Sequence, residues 1–471
     1  MGNDDNLSDY ERDKIDKQSL VMKIIAEHCT SDSEHDDIRV FADALGGGLA
    51  RLGIENLSGG YTNYTYKVYL KKLGDDEDAP HHHAALFVKL CFPRAFWNPD
   101  PEYVYDVRRI ENEAIMMNKF ATLAPGCVAT PYLLLDVEGG MKLLATQWSS
   151  TDEQLGNQSI DGLVDVRVAK NLAVAIAALH NSDLDKDFNT EARDCMIELF
   201  PSMKEKLFSL IEDAGDGRAG KIAKGFGPEL CREIFERAEE SYRANQIPCH
   251  FDLHFFNVLV EAKPDAQYLE QFGPTGSFCV CDWEMAAMGP LGIDTGRLYS
   301  IPVACIIAHA LGGHDEVTEG ILNFLDVYWK EYSTAMVASG KDDEYLKTCY
   351  RNGIAWLGWK LFAISVFDWF VPFLPIEPSD VDKFKDSVGA LGIRLMRYGF
   401  ISDEAGEDHF SLYQTIHDEL ACIKSYREPD TRVRNRRSSV LRESNRRVSD
   451  AFQSISLTSL LNAALADLTI E

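Results

Sequence analysis

Runs of apolar residues divide the chain into a strand-rich front and a helix-rich remainder. Residues 1–48 are acidic and patterned as helix, ending at "LGGGL". "IENLSGG" then leads through a glycine turn into "YTYKVYLKK", which reads as a strand. "LGDDEDAPHHH" is a polar loop that puts His81, His82 and His83 at a solvated tip, and "AALFVKL" is a second strand. A helix is predicted over Tyr105–Leu123, where Ile110, Ala114, Met117 and Ala121 recur at helical spacing. "ATPYLLLD" and "MKLLATQW" supply two more strands, and mostly helical pattern follows. Val168, Leu172, Ile176 and Leu179 line one face of a helix that ends in "ALHNSD". The pattern is α+β, with a small β-rich part and a larger, mainly helical one. The boundaries it suggests are an extension over 1–48, a β-rich domain over 49–150, a helical domain over 151–426 and a tail over 427–471.

Two short strands interrupt the helical part. "NVLVEA" begins at Asn257, and "SFCVCDWE" ends on Asp282 and runs on to Glu284. A hairpin of these two strands brings Asn257 and Asp282 together. Just before it stands His250-Phe251-Asp252-Leu253-His254-Phe255-Phe256-Asn257. An H-x-D-x4-N octet followed by a strand-borne D-x-E suits phosphoryl transfer from ATP. That chemistry needs one carboxylate for the attacking hydroxyl, and an amide oxygen with a second carboxylate for Mg²⁺. Lys89 ends the apolar "LFVKL", and a lysine on a buried strand is costly unless paired. The following helix offers Glu111 and Glu113 as partners. Gly59 and Gly60 lie between two strand signals, where glycines let backbone N–H groups approach phosphate oxygens.

Composition narrows the partners. The formal net charge of −28 repels nucleic acid and anionic membrane. Eleven cysteines without CxxC spacing suggest neither zinc nor a disulfide framework and fit a reducing compartment. The acidic, polar N-terminus carries no secretory pattern, so a cytoplasmic protein is expected. The apolar stretches Leu298–Leu311 and Trp356–Leu374 are broken by polar residues and read as buried helices. Between Arg432 and Arg447 lie seven arginines and one glutamate, the composition of a mobile basic tail. Ser439 and Ser449 each stand three residues after an arginine, so a basophilic protein kinase is a candidate partner for the tail.

Lys89, the Glu111/Glu113 helix, "ALH", "CHFDLHFFN" and "DWE" together resemble the aminoglycoside phosphotransferase / choline kinase superfamily over roughly Asn56–Tyr299. Within it the likeness is greatest to methylthioribose kinases, whose patterns are similar to "SGGYTNYTYKV", "VKLCFPR…VRRIE" and "DWEMAAMGPLGIDTG". The resemblance implies a bilobal protein-kinase-like fold, ATP and Mg²⁺ as cofactors, and a homodimer. It implies that Asp252 is the catalytic carboxylate, that Asn257 and Asp282 bind Mg²⁺ with Glu284 assisting, and that His250, His254 and Asp294 brace the loop. Gly59, Gly60, Asn63 and Lys89 would meet the nucleotide, with Glu111 favoured over Glu113 as the partner of Lys89. The backbone around Gln147 would meet adenine.

The chain departs from the methylthioribose kinase pattern in two places. Phe251 stands where a glycine is usual, and "NGIAWLGWKLFAISVFD" lacks the adjacent arginine pair. That stretch is instead similar to the W-x-x-W of choline kinases. Trp356, Trp359 and Asp368 would then form a pocket for an amino alcohol, with aromatic faces caging a quaternary ammonium. Two tryptophans at i and i+3 also share a helix face, as a buried core would use them. The expected function is an ATP-dependent small-molecule kinase acting on a hydroxyl of a methylthioribose-like sugar, or a choline or ethanolamine kinase. A nucleotide-binding scaffold without catalysis is the reading from another class.

Overall fold

The computed structural model describes residues 9–45, 52–57, 63–71, 85–93, 105–149, 151, 153–212, 217–261, 276–367, 370–401 and 411–425. Gly59, Gly60, the histidines His81–His83, Asp368, Ser439 and Ser449 lie outside the described residues. The fold is α+β, as the pattern predicts, and forms two compact units. One holds the described residues through Ala121 and from Ala129 to Ser149. The other holds Thr122–Val128 and the described residues from Thr151 onward.

The first unit begins with two helices, α1 (Asp9–His28) and α2 (Asp36–Leu45). Strands β1 (Leu52–Asn56), β2 (Asn63–Leu70) and β3 (Ala85–Cys91) follow, then helix α3 (Arg108–Leu123) and strands β4 (Pro131–Val137) and β5 (Met141–Gln147). The sheet is antiparallel with order β1-β2-β3-β5-β4. Its period of two sorts the side chains cleanly. Tyr64, Tyr66 and Val68, with Leu86, Val88 and Leu90 and with Leu143 and Ala145, form one buried face. That face shares a core with Val21, Ile24 and Ile25 of α1 and Ile38 and Phe41 of α2. Helices α1 and α2, which read as part of an extension, therefore supply about a third of this core. Polar groups fix the packing: Tyr64 donates to Asp13 at 2.7 Å and Lys14 donates to the Leu57 carbonyl at 2.6 Å. Lys89 alternates with Val88 and Leu90, so it belongs to the opposite face. The register places it between Thr65 and Leu144 on the central strand.

In the second unit, short strand β6 (Glu153–Gln154) precedes helices α4 (Leu155–Ile160), α5 (Val166–His180), α6 (Thr190–Asp194), α7 (Leu199–Glu212) and α8 (Arg218–Tyr242). The last is broken where Gly227 leaves helical geometry before Pro228. Strands β7 (Ile247–Cys249), β8 (Val258–Val260), β9 (Phe278–Val280) and β10 (Ala287–Gly289) come next. Five helices complete the unit: α9 (Ile293–Gly312), α10 (Asp315–Ala338), α11 (Asp343–Val366), α12 (Val381–Ile401) and α13 (Leu412–Ser425). Strand β7 pairs with β10 and β8 with β9, both antiparallel. The octet spans the link from β7 to β8, and Asp282 and Glu284 span the link from β9 to β10. The two loops are thus clamped together at both ends. The expected hairpin of "NVLV" and "FCV" is present as β8 and β9.

Helix α9 crosses α11 at very close range. A Cβ added at Gly296 would lie 2.6 Å from the Cβ of Trp356 and 2.4 Å from the Gly353 carbonyl oxygen, so only glycine fits there. All eleven cysteines are free, as their spacing suggests. Among the described residues no helix is long and apolar enough to cross a membrane.

Candidate active site

In the β-rich unit the Lys89 ammonium lies 2.9 and 2.8 Å from the two carboxylate oxygens of Glu113, and both side chains are buried. Glu113, and not Glu111 as expected, is therefore the partner of Lys89. Glu111 is half-exposed and pairs with Lys142 at 2.7 Å. The reason is helical geometry. Ile110 and Met117 are buried on α3, and Glu113 lies three residues after one and four before the other, whereas Glu111 is turned off that stripe. Asn63 accepts from the Arg109 guanidinium at 2.9 Å, which ties β2 to α3. Arg109 is itself buried, donates to the carbonyls of Tyr105 and Asp106, and lies over the Tyr105 ring. Sequence reasoning missed this arginine, which stands four residues before Glu113. Gln147 is exposed at the end of β5, and its N–H donates to the Thr130 carbonyl.

In the helical unit the octet is held by its backbone. Asp294, in the first turn of α9, accepts from the N–H groups of His250 at 2.8 Å and Phe251 at 2.9 Å. It also meets His180 Nε2 at 3.1 Å, and His180 Nδ1 meets the Tyr332 hydroxyl at 2.8 Å. Burial opposes the charge on Asp294, but His180 above all, then His250, keeps its carboxyl below the usual range. His250 accepts from the Asp252 N–H at Nδ1 and donates through Nε2 to the Cys281 carbonyl at 3.0 Å. Burial pushes its imidazole down, which matches this neutral tautomer. His250 thereby ties the loop to the residue before Asp282. The bracing expected of His250 and Asp294 is this set of bonds.

Phe251 adopts φ of 68°, in the left-handed region that glycine favours. The departure noted in the sequence thus falls on a strained backbone, at a cost of about 1–2 kcal/mol. Packing offsets it: Phe251 is fully buried with its ring 5.4 Å from Tyr242. Space for that ring comes from Gly289, where an added Cβ would lie 2.4 Å from it.

Asp252 is half-buried. Arg297 donates to its Oδ1 at 2.6 Å, and His254 Nε2 lies 3.4 Å from its Oδ2. His254 is therefore a direct neighbour of the Asp252 carboxylate. Burial alone would raise the Asp252 carboxyl, but His254 first, then Lys360 and Arg297, hold it well below the usual carboxylate range. Asn257 donates through Nδ2 to the Asp252 carbonyl at 2.9 Å and accepts from the Cys281 N–H at its own carbonyl, 3.0 Å. Its side-chain oxygen remains an acceptor, one residue across the ladder from Asp282.

Asp282 stands at φ of 65° and ψ of 56°, a second left-handed residue that re-aims the chain at the strand end. A carboxylate oxygen of Asp282 and one of Glu284 lie within 4.8 Å of each other. Asn189, also left-handed, donates to the carbonyls of Glu284 at 2.7 Å and Ala286 at 2.9 Å, and so holds this turn. Nothing in the sequence pattern pointed to Asn189. The donor set of Asn257, Asp282 and Glu284 consists of hard oxygens, which suits Mg²⁺.

Trp356 and Trp359 do not form an open cage. They are 2% and 9% exposed. Trp356 packs against Tyr242 and Phe400, and Trp359 against Phe200 and Phe235. An aromatic core has claimed the faces that an ammonium would need.

Residues 53–314 match the model of the phosphotransferase enzyme family. The chain belongs to that family. It is a phosphotransferase, and the braced octet, the second carboxylate loop and the Lys89–Glu113 pair all fall within the matched residues. Several solved structures are similar to it. One is a choline/ethanolamine kinase family protein from Mesorhizobium loti, 15% identical, covering 86% of this chain and 99% of its own, with a TM-score of 0.32. Another is the ADP-bound aminoglycoside phosphotransferase APH(2'')-Ib, 13% identical, covering 75% of this chain and 99% of its own, with a TM-score of 0.34. A third is a thermostable mutant of aminoglycoside phosphotransferase APH(4)-Ia with AMP-PNP and hygromycin B. It is 9% identical and covers 77% of this chain and 99% of its own, with a TM-score of 0.36. No curated protein matches the chain.

Proposed function

We propose that this phosphotransferase moves the γ-phosphoryl group of ATP to a hydroxyl of a small metabolite and requires Mg²⁺. The observation that carries the reading is the clamped pair of loops, in which Asp252 stays accessible while Asn257 and Asp282 are set side by side by β8 and β9. The acceptor hydroxyl donates to Asp252, which orients it. The hydroxyl oxygen attacks the γ-phosphorus, the bond from that phosphorus to the β,γ-bridging oxygen breaks, and ADP leaves. The hydroxyl proton passes to the Asp252 carboxylate. Because neighbouring cations keep Asp252 a weak base, its work is chiefly alignment, with proton uptake following bond formation. Lys89, held by Glu113, contacts the nucleotide phosphates. Asn257, Asp282 and Glu284 would hold Mg²⁺, which when bound neutralises charge on the phosphates.

A methylthioribose-like sugar is the acceptor class that the motif pattern suggests. The choline reading loses its cage, because the faces of Trp356 and Trp359 are covered by other aromatic rings. The test is ADP release from Mg-ATP across a panel of hydroxyl metabolites. Turnover of one of them, lowered about 10²–10⁴-fold in Asp252→Asn, is expected. Unchanged turnover in that variant would refute the assignment.

A further inference from the structure

Helix α9 reaches the octet at two points from one face. Asp294 and Arg297 stand three residues apart near its start, which makes them neighbours on the helix surface. Asp294 takes the backbone N–H groups of His250 and Phe251, and Arg297 donates to Oδ1 of Asp252 at 2.6 Å. Among the described residues Asp252 is the one ion-pair partner of Arg297.

The bond from Arg297 is not what holds the loop. The backbone of Asp252 is already fixed on both sides: its N–H donates to His250 Nδ1, and its carbonyl accepts from Asn257 Nδ2. These bonds leave the side-chain torsions of Asp252 unset. Its carboxylate is 26% exposed and has room to turn, whereas the Arg297 side chain is 7% exposed. Arg297 also rides on a helix packed tightly against α11 at the preceding residue, Gly296. The guanidinium is therefore the rigid member of the pair, and a short charge-assisted bond from it sets the plane of the carboxylate.

The two oxygens of Asp252 then differ. Oδ1 is committed to a donor that keeps its charge at any working pH. Oδ2 faces His254 Nε2 at 3.4 Å, beyond the usual range of a hydrogen bond, so an incoming hydroxyl can take that place.

We propose that Arg297 is a positioning residue for phosphoryl transfer: through Oδ1 it fixes the Asp252 carboxylate so that Oδ2 receives the acceptor hydroxyl. The inference rests on the reading of Asp252 as the group that orients that hydroxyl. As the hydroxyl oxygen bonds to the γ-phosphorus and the bond to the β,γ-bridging oxygen breaks, the hydroxyl proton passes to Oδ2. Arg297 acts through Asp252 and not on the reacting atoms. Misplacing a reacting group by about 1 Å can cost about 10²-fold in rate, so a loose carboxylate is a kinetic defect before it is a structural one.

The test uses the full chain, Mg-ATP and three acceptors, methylthioribose, D-ribose and water, with ADP release as the readout. In Arg297→Met, kcat with the best of these is expected to fall at least about tenfold while the KM for ATP stays within about twofold. Arg297→Lys, which returns a cation to the same helix position, should recover at least about threefold of that loss. In an Asp252→Ala background, adding Arg297→Met should change kcat by less than about threefold, because no carboxylate is left to position. Circular dichroism checks the fold of each variant. If Arg297→Met does not fold, Arg297→Gln carries the same expectation, since it removes the charge with a smaller change in polarity.

A smaller loss in Arg297→Met, with Asp252→Ala crippled, overturns the proposal and leaves the reading of Asp252 standing. Losses that multiply in the double variant also overturn it, because the arginine would then act on the transferring phosphoryl group independently of Asp252. Turnover that Asp252→Ala leaves unchanged overturns the reading of Asp252 beneath it.

Discussion

Lys89 and Glu113 face each other across the gap between the central strand and α3, with both carboxylate oxygens within 2.9 Å of the ammonium. Removing one partner of a buried pair leaves an uncompensated charge. Glu113→Ala is expected to lower the unfolding free energy by about 3–5 kcal/mol, whereas Glu111→Ala, at a half-exposed pair, costs about 1 kcal/mol or less. Urea denaturation of both variants checks this. Equal losses would mean that the helix face has been misassigned.

Phe251 and Gly289 are coupled through space. Gly289→Ala drives a methyl group into the Phe251 ring and should destabilise the protein by about 1–3 kcal/mol while slowing turnover. Phe251→Gly relieves the left-handed backbone but empties the ring's place beside Tyr242, for a net loss of about 2–4 kcal/mol. The double variant should be more stable than the sum of the two losses predicts, since the methyl then has room. A double-mutant cycle by thermal or chemical unfolding measures the coupling, and strict additivity would contradict the contact.

Asp294 sets the loop that carries Asp252. Asp294→Asn keeps an acceptor but loses the charge that holds two N–H groups and His180, so kcat should fall at least about tenfold with little change in the KM for ATP. The same residue contributes to the pH dependence of stability. Its folded carboxyl titrates below the unfolded value of 3.8, so its contribution is present above that pH and is lost as pH falls through the folded value. Acid titration should therefore show a shallower loss below pH 4 in the variant than in the wild type.

Burial, then Arg297, holds the Lys360 ammonium below its usual range against the pull of Asp252. Its folded titration near 8 lies below the unfolded 10.5, so between these values the unfolded chain binds more protons and this residue's contribution to stability rises with pH. Lys360→Met should unfold with equal or greater free energy at pH 7 than the wild type, and the difference should shrink toward pH 10. A variant markedly less stable at pH 7 would contradict the lowered titration of the ammonium.

The octet and the D-x-E were readable because phosphoryl transfer constrains both residue types and spacing within one short stretch. The hairpin that joins them was readable because "VLV" and "FCV" are short, valine-containing apolar runs in an otherwise helical region. The partner of Lys89 was readable in principle. The spacing of Ile110 and Met117 already places Glu113 on the buried stripe of α3, while motif likeness favoured Glu111. Arg297, Asn189 and Arg109 were missed because each meets its partner across a long stretch of chain and leaves no periodic trace.

The sequence by itself determined the α+β class, the order of the main elements and the motif that marks the candidate site, since these follow from local periodicity and from short-range chemical requirements. Only the tertiary structure decided that α1 and α2 complete the sheet's core, that Trp356 and Trp359 face aromatic neighbours, and that Arg297 pairs with Asp252. Those outcomes depend on which helix faces meet. The meeting is set by close approaches such as Gly296 against Trp356, where the absence of a side chain on one helix lets the two helices pack at short range.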